Sequence, residues 1–503
     1  MDLGSRGGRG ERVAFLVAYA GCYVFQSSVL YSCSLLQRKA QLIPSWELDT
    51  SFDPLKALAE RRLYPAWVNY KGNPAHSLPH DSTRSEILSR DWDSYGQDWE
   101  SLLTSLPLRD PSKFVAGQVH SELGNWERVL QEVDNEHTPI VRKWLNDGVD
   151  VFDFFRPFKG KFNGVQYDDV IPPPTIFNNY QNCEPFKEDI ARQLEEGIRS
   201  GSLEILGRVG EVEPPHLVMP LLMVVQPRKN RLCHDERFLN LFMKAMPFSL
   251  EGLKLIPSLL EEGDYMASSD EKSAYMGVKL SEQSRTFFGV EFAGWYLRYR
   301  VLPFGWSISP YAYQTIGMQV TSFLRLRGVT TFQYIDDRFL GPVSTSPAPK
   351  LSKTGLAIFF NAATLSALGF TIEFLKSLWY PALTMKHLGL MVHSDSRHFE
   401  ITEDKKLSFI ELREQILNSN SVDVKMLQKF MGKCVSLYPC VAAAKLYIRV
   451  MAKEIGLANK SHNRMIYIRG QLREEVQFWK FLDKFRSLDE MEGRASYRFK
   501  AVN

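Results

Sequence analysis

Gln333-Tyr334-Ile335-Asp336-Asp337-Arg338 sets two adjacent carboxylates in the middle of an otherwise strand-like stretch, Phe332 to Leu340. Buried as ions, neighbouring acids are costly unless a cation or a hydrogen-bond network meets them. A short hairpin turn at this point relieves the cost, exposes both acids and offers the hard oxygen ligands that magnesium takes. Asp-Asp pairs are also common in surface turns, so the segment needs a partner elsewhere in the chain. Asp270 supplies one: it ends a second strand pattern, Tyr265 to Ser269, and opens Asp270-Glu271-Lys272-Ser273-Ala274-Tyr275. Carboxylates from separate strands converging on ions roughly 3.5–4 Å apart are what two-metal chemistry requires. Alone, Asp270 reads as a turn acid or helix cap; with Asp336 and Asp337 it completes a trio.

Working outward, Leu302-Pro303-Phe304-Gly305-Trp306-Ser307-Ile308-Ser309-Pro310 leads into Tyr311-Ala312-Tyr313-Gln314. A Pro–Gly turn before a helical run brings backbone next to a ligand without side-chain obstruction. Upstream, Leu217 to Val225 is a nearly continuous apolar run, which predicts a buried strand. Arg228-Lys229-Asn230 then makes a basic turn and Arg231-Leu232-Cys233 starts the way back, a β-hairpin with a positive tip. Ile190, Leu194 and Ile198 keep helical spacing between Phe186 and Ser200, with Gly201 as the stop. From about Val424 the chain is helical again, with Val424, Leu427, Met431, Cys434 and Leu437 on one face. Strands, hairpins and intervening helices together predict an α+β fold.

The chain's 503 residues suggest about two to four subdomains. Its 44% hydrophobic and 24% charged residues are those of a globular protein and exclude a disordered one. Charge is uneven: Lys425 to Lys500 holds 16 Lys/Arg against 7 Asp/Glu, a surplus of +9 that leaves −6 for the rest of the +3 total. A basic C-terminal part suits a phosphate backbone, as it suits any solvated helical surface. The six cysteines are scattered without metal-ligand spacing, which indicates a reduced, intracellular protein with no disulfide framework and no zinc site. Val13 to Leu36 carries no charge and follows Arg6, Arg9 and Arg12. It is long enough for a membrane span or a signal sequence, although Gln26 and several serines keep its apolarity modest. Residues 1–180 otherwise carry no assignable motif, and Pro172-Pro173-Pro174 and Pro214-Pro215 read as turns or linkers.

The ordered set RLCHDERFLN, DEKSAY, LPFGWSISPYAYQ, YIDD, LGFTIEFLKS and HLGL resembles the successive motifs of retroelement reverse transcriptases, and is most similar to DIRS-like and LTR-type retrotransposon enzymes. The resemblance covers roughly Phe186 to Phe481. It implies a right-hand polymerase, with fingers and palm over 186–393, a helical thumb-like or connection-like region over 394–485 and a tail over 486–503. It implies RNA-directed DNA polymerase activity on a primed RNA or DNA template with dNTPs, using two Mg²⁺ ions or Mn²⁺ in their place. Asp270, Asp336 and Asp337 would be the metal ligands, with Lys376 as a catalytic proton donor to the leaving pyrophosphate. Arg231 and Lys229 would grip the triphosphate, Tyr275 would gate the sugar, and Gly305 and Gln314 would position nucleotide and template base. His387, Leu388 and Gly389 would hold the primer end, while Asp235, Arg237 and Asn240 complete their motif in structural roles.

Two departures stand out. Glu271 sits where the family usually has a hydrophobic residue, and the basic loop at 228–230 is short. Too few residues follow the helical region for an RNase H domain, so no RNase H, protease, integrase or recombinase activity is expected. An RNA polymerase would have to admit a 2′-hydroxyl, against which an aromatic at Tyr275 argues. A catalytically inactive retroelement copy that binds nucleic acid is the alternative from another class, and a membrane protein anchored through 13–36 is a third.

Overall fold

The computed structural model describes residues 53–60, 77–80, 83–226 and 230–484. The apolar segment 13–36, Arg228 and Lys229 of the basic tip, and the tail 486–503 lie outside the described residues. Among the described residues, no helix is long and apolar enough to cross a membrane.

The element that positions everything else is a four-stranded antiparallel sheet. Its strands are β1 (Met266–Asp270), β2 (Val329–Tyr334), β3 (Asp337–Val343) and β4 (Leu378–Ala382), in the order β2-β3-β1-β4. The stretch Phe332 to Leu340 is therefore two strands joined by the expected hairpin turn. Beyond Asp337 and Arg338, β3 is apolar because both faces are covered: Phe339 and Leu340 enter opposite cores, and a register shift opposite Val329–Thr331 turns Val343 to the side of Leu340. Leu340 and Val343, with Ala267 of β1, enter the larger core together with α1 (Ser309–Leu326) and α2 (Lys350–Ala367). Phe339, with Phe332 and Met266, enters a second core shared with the C-terminal part.

α1 starts at Ser309-Pro310, where a proline in the first turn costs no hydrogen bond. It is buried nearly all round because it lies between the sheet and two helices, Leu123–Val133 and Thr138–Asp147. Those helices come from the region without a motif, and their core residues Trp126, Val129, Val141 and Trp144 belong to the larger core. The Trp126 indole N–H donates to the carbonyls of Val119 and Leu368, both at 3.1 Å. Arg109, wholly buried, donates to the Ser366 carbonyl at 2.5 Å and pairs with Glu122. The described part of this region is thus built into the same core as the carboxylate sheet.

The helix Lys187–Ser200 ends at Gly201, which takes a left-handed conformation at φ 85°, as the sequence predicts. The apolar run Leu217 to Val225 is not one strand. Leu217–Val218 joins a five-stranded sheet with 175–176, 289–292, 295–299 and 203–208, whereas Leu221–Val224 pairs only with Arg231–His234. The break falls at Pro220, which has no N–H to give to a ladder. Beyond β4, Thr384–His387, Leu390–His393 and His398–Ile401 form a three-stranded sheet. The helices Glu403–Leu417, Val424–Ser436, Arg449–Lys460 and Gly470–Phe478 follow. Val424, Leu427 and Cys434 are buried as predicted, but Phe430 rather than Met431 fills the core.

Gly369 follows α2 at φ 89°, and a Cβ there would come within 2.5 Å of the Gln118 carbonyl oxygen. Gly369→Ala is expected to lower unfolding free energy by about 2 kcal/mol or more, combining left-handed strain with backbone overlap. Denaturant unfolding checks this; a loss below about 0.5 kcal/mol would mean that the N-terminal segment is not seated against α2 in this way.

Candidate active site

The β2–β3 turn has only two residues, Ile335 and Asp336, because Tyr334 and Asp337 are direct Cα partners. Ile335 adopts φ 57°, a conformation that β-branched residues rarely take. Strain of this kind costs about 1–3 kcal/mol and persists only where the surroundings enforce it. Here the Ile335 N–H donates to Gln314 Oε1 at 2.9 Å, and Gln314 Nε2 donates to the Gln333 carbonyl at 3.0 Å. Gln333 Nε2 donates to the Ile335 carbonyl at 2.6 Å, and the Glu271 N–H donates to the Asp336 carbonyl at 2.8 Å. Four bonds at about 1 kcal/mol each are enough to offset the strain.

Asp337 stands directly opposite Asp270 across β3 and β1. Directly paired residues share a face with Cβ atoms about 4.5–5.5 Å apart, and like charges in that position repel. Burial, then the charges of Asp336 and Asp270, push the Asp337 carboxyl up to about 7, against a partial pull downward from Lys376. Burial also raises Asp336, with Asp270 adding to it. Asp270 is raised by burial too, but its hydrogen bond from Lys376 works against that shift. Three crowded acids that resist ionisation, all offering hard oxygens, fit a divalent cation better than any side chain present. The Lys376 ammonium is two-thirds exposed and lies 3.1 Å from Asp270 Oδ1. It is brought there because Glu373 and Ser377, on the same segment, bond the Asp270 backbone carbonyl and N–H.

The other candidates divide between this spot and the scaffold around it. The Tyr275 ring packs against Phe304 at 5.1 Å between centroids and against Tyr313 at 5.7 Å, so the gate candidate has a fixed backing. Gly305, at φ 97°, lies on a loop held by Asn240, which donates to the Gly305 carbonyl and accepts from the Ser307 N–H, both at 2.8 Å. Asp235 and Arg237 are bonded to each other and to Tyr180. Arg231 is exposed on the hairpin, while Lys229 is outside the described residues. Gln314, expected beside template and nucleotide, is instead 3% exposed with both ends of its amide spent on the turn backbone.

His387 is also buried, between the rings of Phe332 and Phe339, both 5.5 Å away. Burial pushes its imidazole down to about 4, so it is a neutral packing group. Leu388 and Gly389 form a two-residue hairpin with φ 45° and 80°. A Cβ on Gly252 would meet Leu388 at 3.5 Å and Tyr334 at 3.7 Å, so this hairpin stands beside the carboxylate turn.

Sequence reading passed over Gln333 and Arg338, although both flank the quoted acids, and over Tyr313 and Thr321 on α1. The period-two alternation of a strand is the signal that separates Arg338 from Asp337, one on each face. Away from the aspartates, His393, His398 and Glu400 bring their donor atoms all within 4.8 Å of one another. The two imidazoles stack at 4.3 Å and 9°, so their in-plane lone pairs do not converge on one ion.

Residues 226–392 match the family model of the reverse transcriptase (RNA-dependent DNA polymerase). The chain carries a reverse transcriptase domain. The three aspartates, Lys376, Tyr275, Gly305, Gln314, Arg231 and the 387–389 hairpin all lie inside that span, whereas His393, His398 and Glu400 lie beyond it. No curated protein matches the chain. Among solved structures, it is similar to a foamy viral protease-reverse transcriptase in complex with RNA/DNA hybrid, with 16% identity, a TM-score of 0.46 and coverage of 71% of this chain and 46% of that one. It is also similar to a foamy viral protease-reverse transcriptase in complex with dsDNA, with 17% identity, a TM-score of 0.45 and coverage of 71% of each chain. The chain thus spans less than half the length of the first of these two.

The raised Asp337 carboxyl of this domain sets a pH dependence. Between its ordinary value near 3.8 and about 7, the folded chain keeps a proton that the unfolded chain has lost. Stability therefore falls as pH rises through that window and is not regained above it. In EDTA, the melting temperature is expected to be lower at pH 8 than at pH 5, by a margin that shrinks in Asp337→Asn. The same pH slope in both proteins would contradict the arrangement.

Proposed function

We propose that the chain is an RNA-directed DNA polymerase of a retrotransposon type, adding dNTPs to a primer 3′-hydroxyl along an RNA or DNA template. The observation that carries this reading is the cross-strand pair Asp270–Asp337, with Asp336 on the adjoining strained turn. Asp270 and Asp336 would hold two magnesium ions, with Asp337 supporting them and manganese as a substitute. Bound there, such ions lower the pKa of the attacking hydroxyl and stabilise charge on the transferring phosphoryl group.

The chain's own residues do the rest. The primer hydroxyl loses its proton to solvent as its oxygen bonds the α-phosphorus and the bond to pyrophosphate breaks; Lys376, paired with Asp270, would give a proton to the leaving group. Arg231 offers a guanidinium fork for the triphosphate, with Lys229 beside it. Tyr275 presents a ring under C2′ of the incoming sugar, and Gly305 leaves room for the nucleotide on the loop that Asn240 holds. Gln314 serves by fixing the carboxylate turn, and the hairpin of Leu388 and Gly389 supports the primer end.

Residues 186–393 serve as fingers and palm and 394–485 as a thumb-like region, the first eight of the latter completing the three-stranded sheet. Lys425 and Lys429 are exposed, and with the half-buried Lys433 they line the face of one helix opposite its buried residues. A cationic stripe of that kind suits a phosphate backbone.

Asp336→Asn is expected to reduce magnesium-dependent dNTP incorporation on a primed RNA template on the order of 10³-fold while primer-template binding persists. Equal activity in that variant would defeat the assignment, and an inactive parent that still binds template would favour the retained, non-catalytic copy. Tyr275→Ala is expected to raise ribonucleotide use relative to dNTPs by about tenfold or more. Single-nucleotide extension measures this, and unchanged sugar selectivity would remove the gate role.

A further inference from the structure

Behind the carboxylates, the opposite face of the same sheet holds a second set of charges. Strand alternation puts Asp270 and Asp337 on one face, and Glu271 and Arg338 on the other, beneath α1. Glu271 is 2% exposed and Arg338 0%. Arg338 Nη2 lies 3.2 Å from Glu271 Oε1, and the Tyr313 hydroxyl donates to the other Glu271 oxygen. Arg338 also donates to Thr321 Oγ1 at 2.7 Å and to Gln333 Oε1 at 3.1 Å. Gln333 in turn holds the Ile335 carbonyl of the strained turn. Gly317 lets α1 approach this closely: a Cβ there would fall 2.1 Å from Gln333 Oε1.

As a source of stability, a buried ion pair does no better than well-packed apolar side chains of the same volume. What it adds is direction, since a guanidinium fork accepts partners only in its plane and at fixed angles. Each member here is one residue from a carboxylate: Glu271 follows Asp270, and Arg338 follows Asp337. Fixing Glu271 against Arg338 therefore fixes the register and height of β1 against β3 where the acids meet. The Tyr313 ring stands edge-on to Tyr275 at 74°, so the same unit backs the sugar gate.

We propose that Glu271, Arg338 and Tyr313 form a positioning unit that holds Asp270 and the Asp336–Asp337 turn at the spacing two divalent cations require. The unit touches neither substrate nor ion; it acts through the carboxylates. The inference rests on the metal-site part of the polymerase reading, and its test is metal binding itself.

The test uses the full chain and Mn²⁺ alone, with free Mn²⁺ followed by electron paramagnetic resonance. Glu271→Met combined with Arg338→Leu removes both charges together, so no buried charge is left unpaired. This double variant is expected to melt within about 3 °C of the parent. It is expected to bind Mn²⁺ at the carboxylates about tenfold more weakly, the loss typical of groups that orient metal ligands. Half-saturating Mg²⁺ for dNTP incorporation should rise in step, while KM for dNTP changes by less than about twofold, as expected when ligand spacing rather than nucleotide binding is disturbed.

Unchanged Mn²⁺ affinity in a folded double variant overturns the proposal. Should that variant not fold, Tyr313→Phe keeps the ring and deletes only the hydroxyl. Its Mn²⁺ affinity should fall on the order of threefold, and no change there overturns the proposal equally. Asp337→Asn identifies the signal that comes from the trio, and a parent without that signal also overturns the proposal. A parent that binds Mn²⁺ through the trio yet incorporates no dNTP refutes the polymerase reading alone.

Discussion

Repulsion between Asp270 and Asp337 is the constraint on which the rest of the structure depends. Antiparallel pairing of β1 with β3 forces the two acids together, and a turn of only two residues adds Asp336 to them. Left to side-chain electrostatics the three would separate. Backbone hydrogen bonds, which do not depend on side-chain charge, keep them in place. The sheet spends stability to hold three acids whose ionisation burial and neighbouring charge oppose, with Lys376 offsetting part of that cost.

Such a site needs a stiff support, and the two cores supply it. One face of the sheet is backed by α1, α2 and the helices at 123–147; the other is backed by the three-stranded sheet and the C-terminal helices. β3 serves both cores, Phe339 one and Leu340 and Val343 the other, so moving this strand would disturb both. A single helix, α1, bonds the turn itself through Gln314 and the residues beside the acids, Glu271 and Arg338, through Tyr313 and Thr321. Close packing at Gly317 brings that helix within reach. Gln314 is buried in this layer because its amide is spent on the turn backbone, whereas His387 lies on the other side of the sheet, packed between Phe332 and Phe339.

Much of the site was legible because its chemistry is local. The acid pair inside QYIDDR, the acid ending a strand at Asp270, the Pro–Gly loop and the lysine after LGF each carry a signal within about ten residues, the range over which hydrophobic period and turn chemistry act. The break at Pro220 was legible too and was passed over in favour of a long apolar run. Other features had no local signal. Nothing near Trp126 announces that its indole bonds the end of α2, more than 200 residues away. Amphipathic helices such as Leu123–Val133 declare a buried face but not the partner that covers it.

The sequence by itself determined an α+β chain, a hairpin turn carrying two acids, a third acid at the end of another strand, and the family resemblance that joins them. Only the tertiary structure decided which faces those residues take. It put Asp337 toward Asp270 and Arg338 toward Glu271, turned Gln314 inward, buried His387 between two phenylalanines, and gave the N-terminal helices a place in the central core. The reason is physical: periodicity and turn propensity act between near neighbours, whereas strand register, burial and charge pairing are fixed only when distant segments pack.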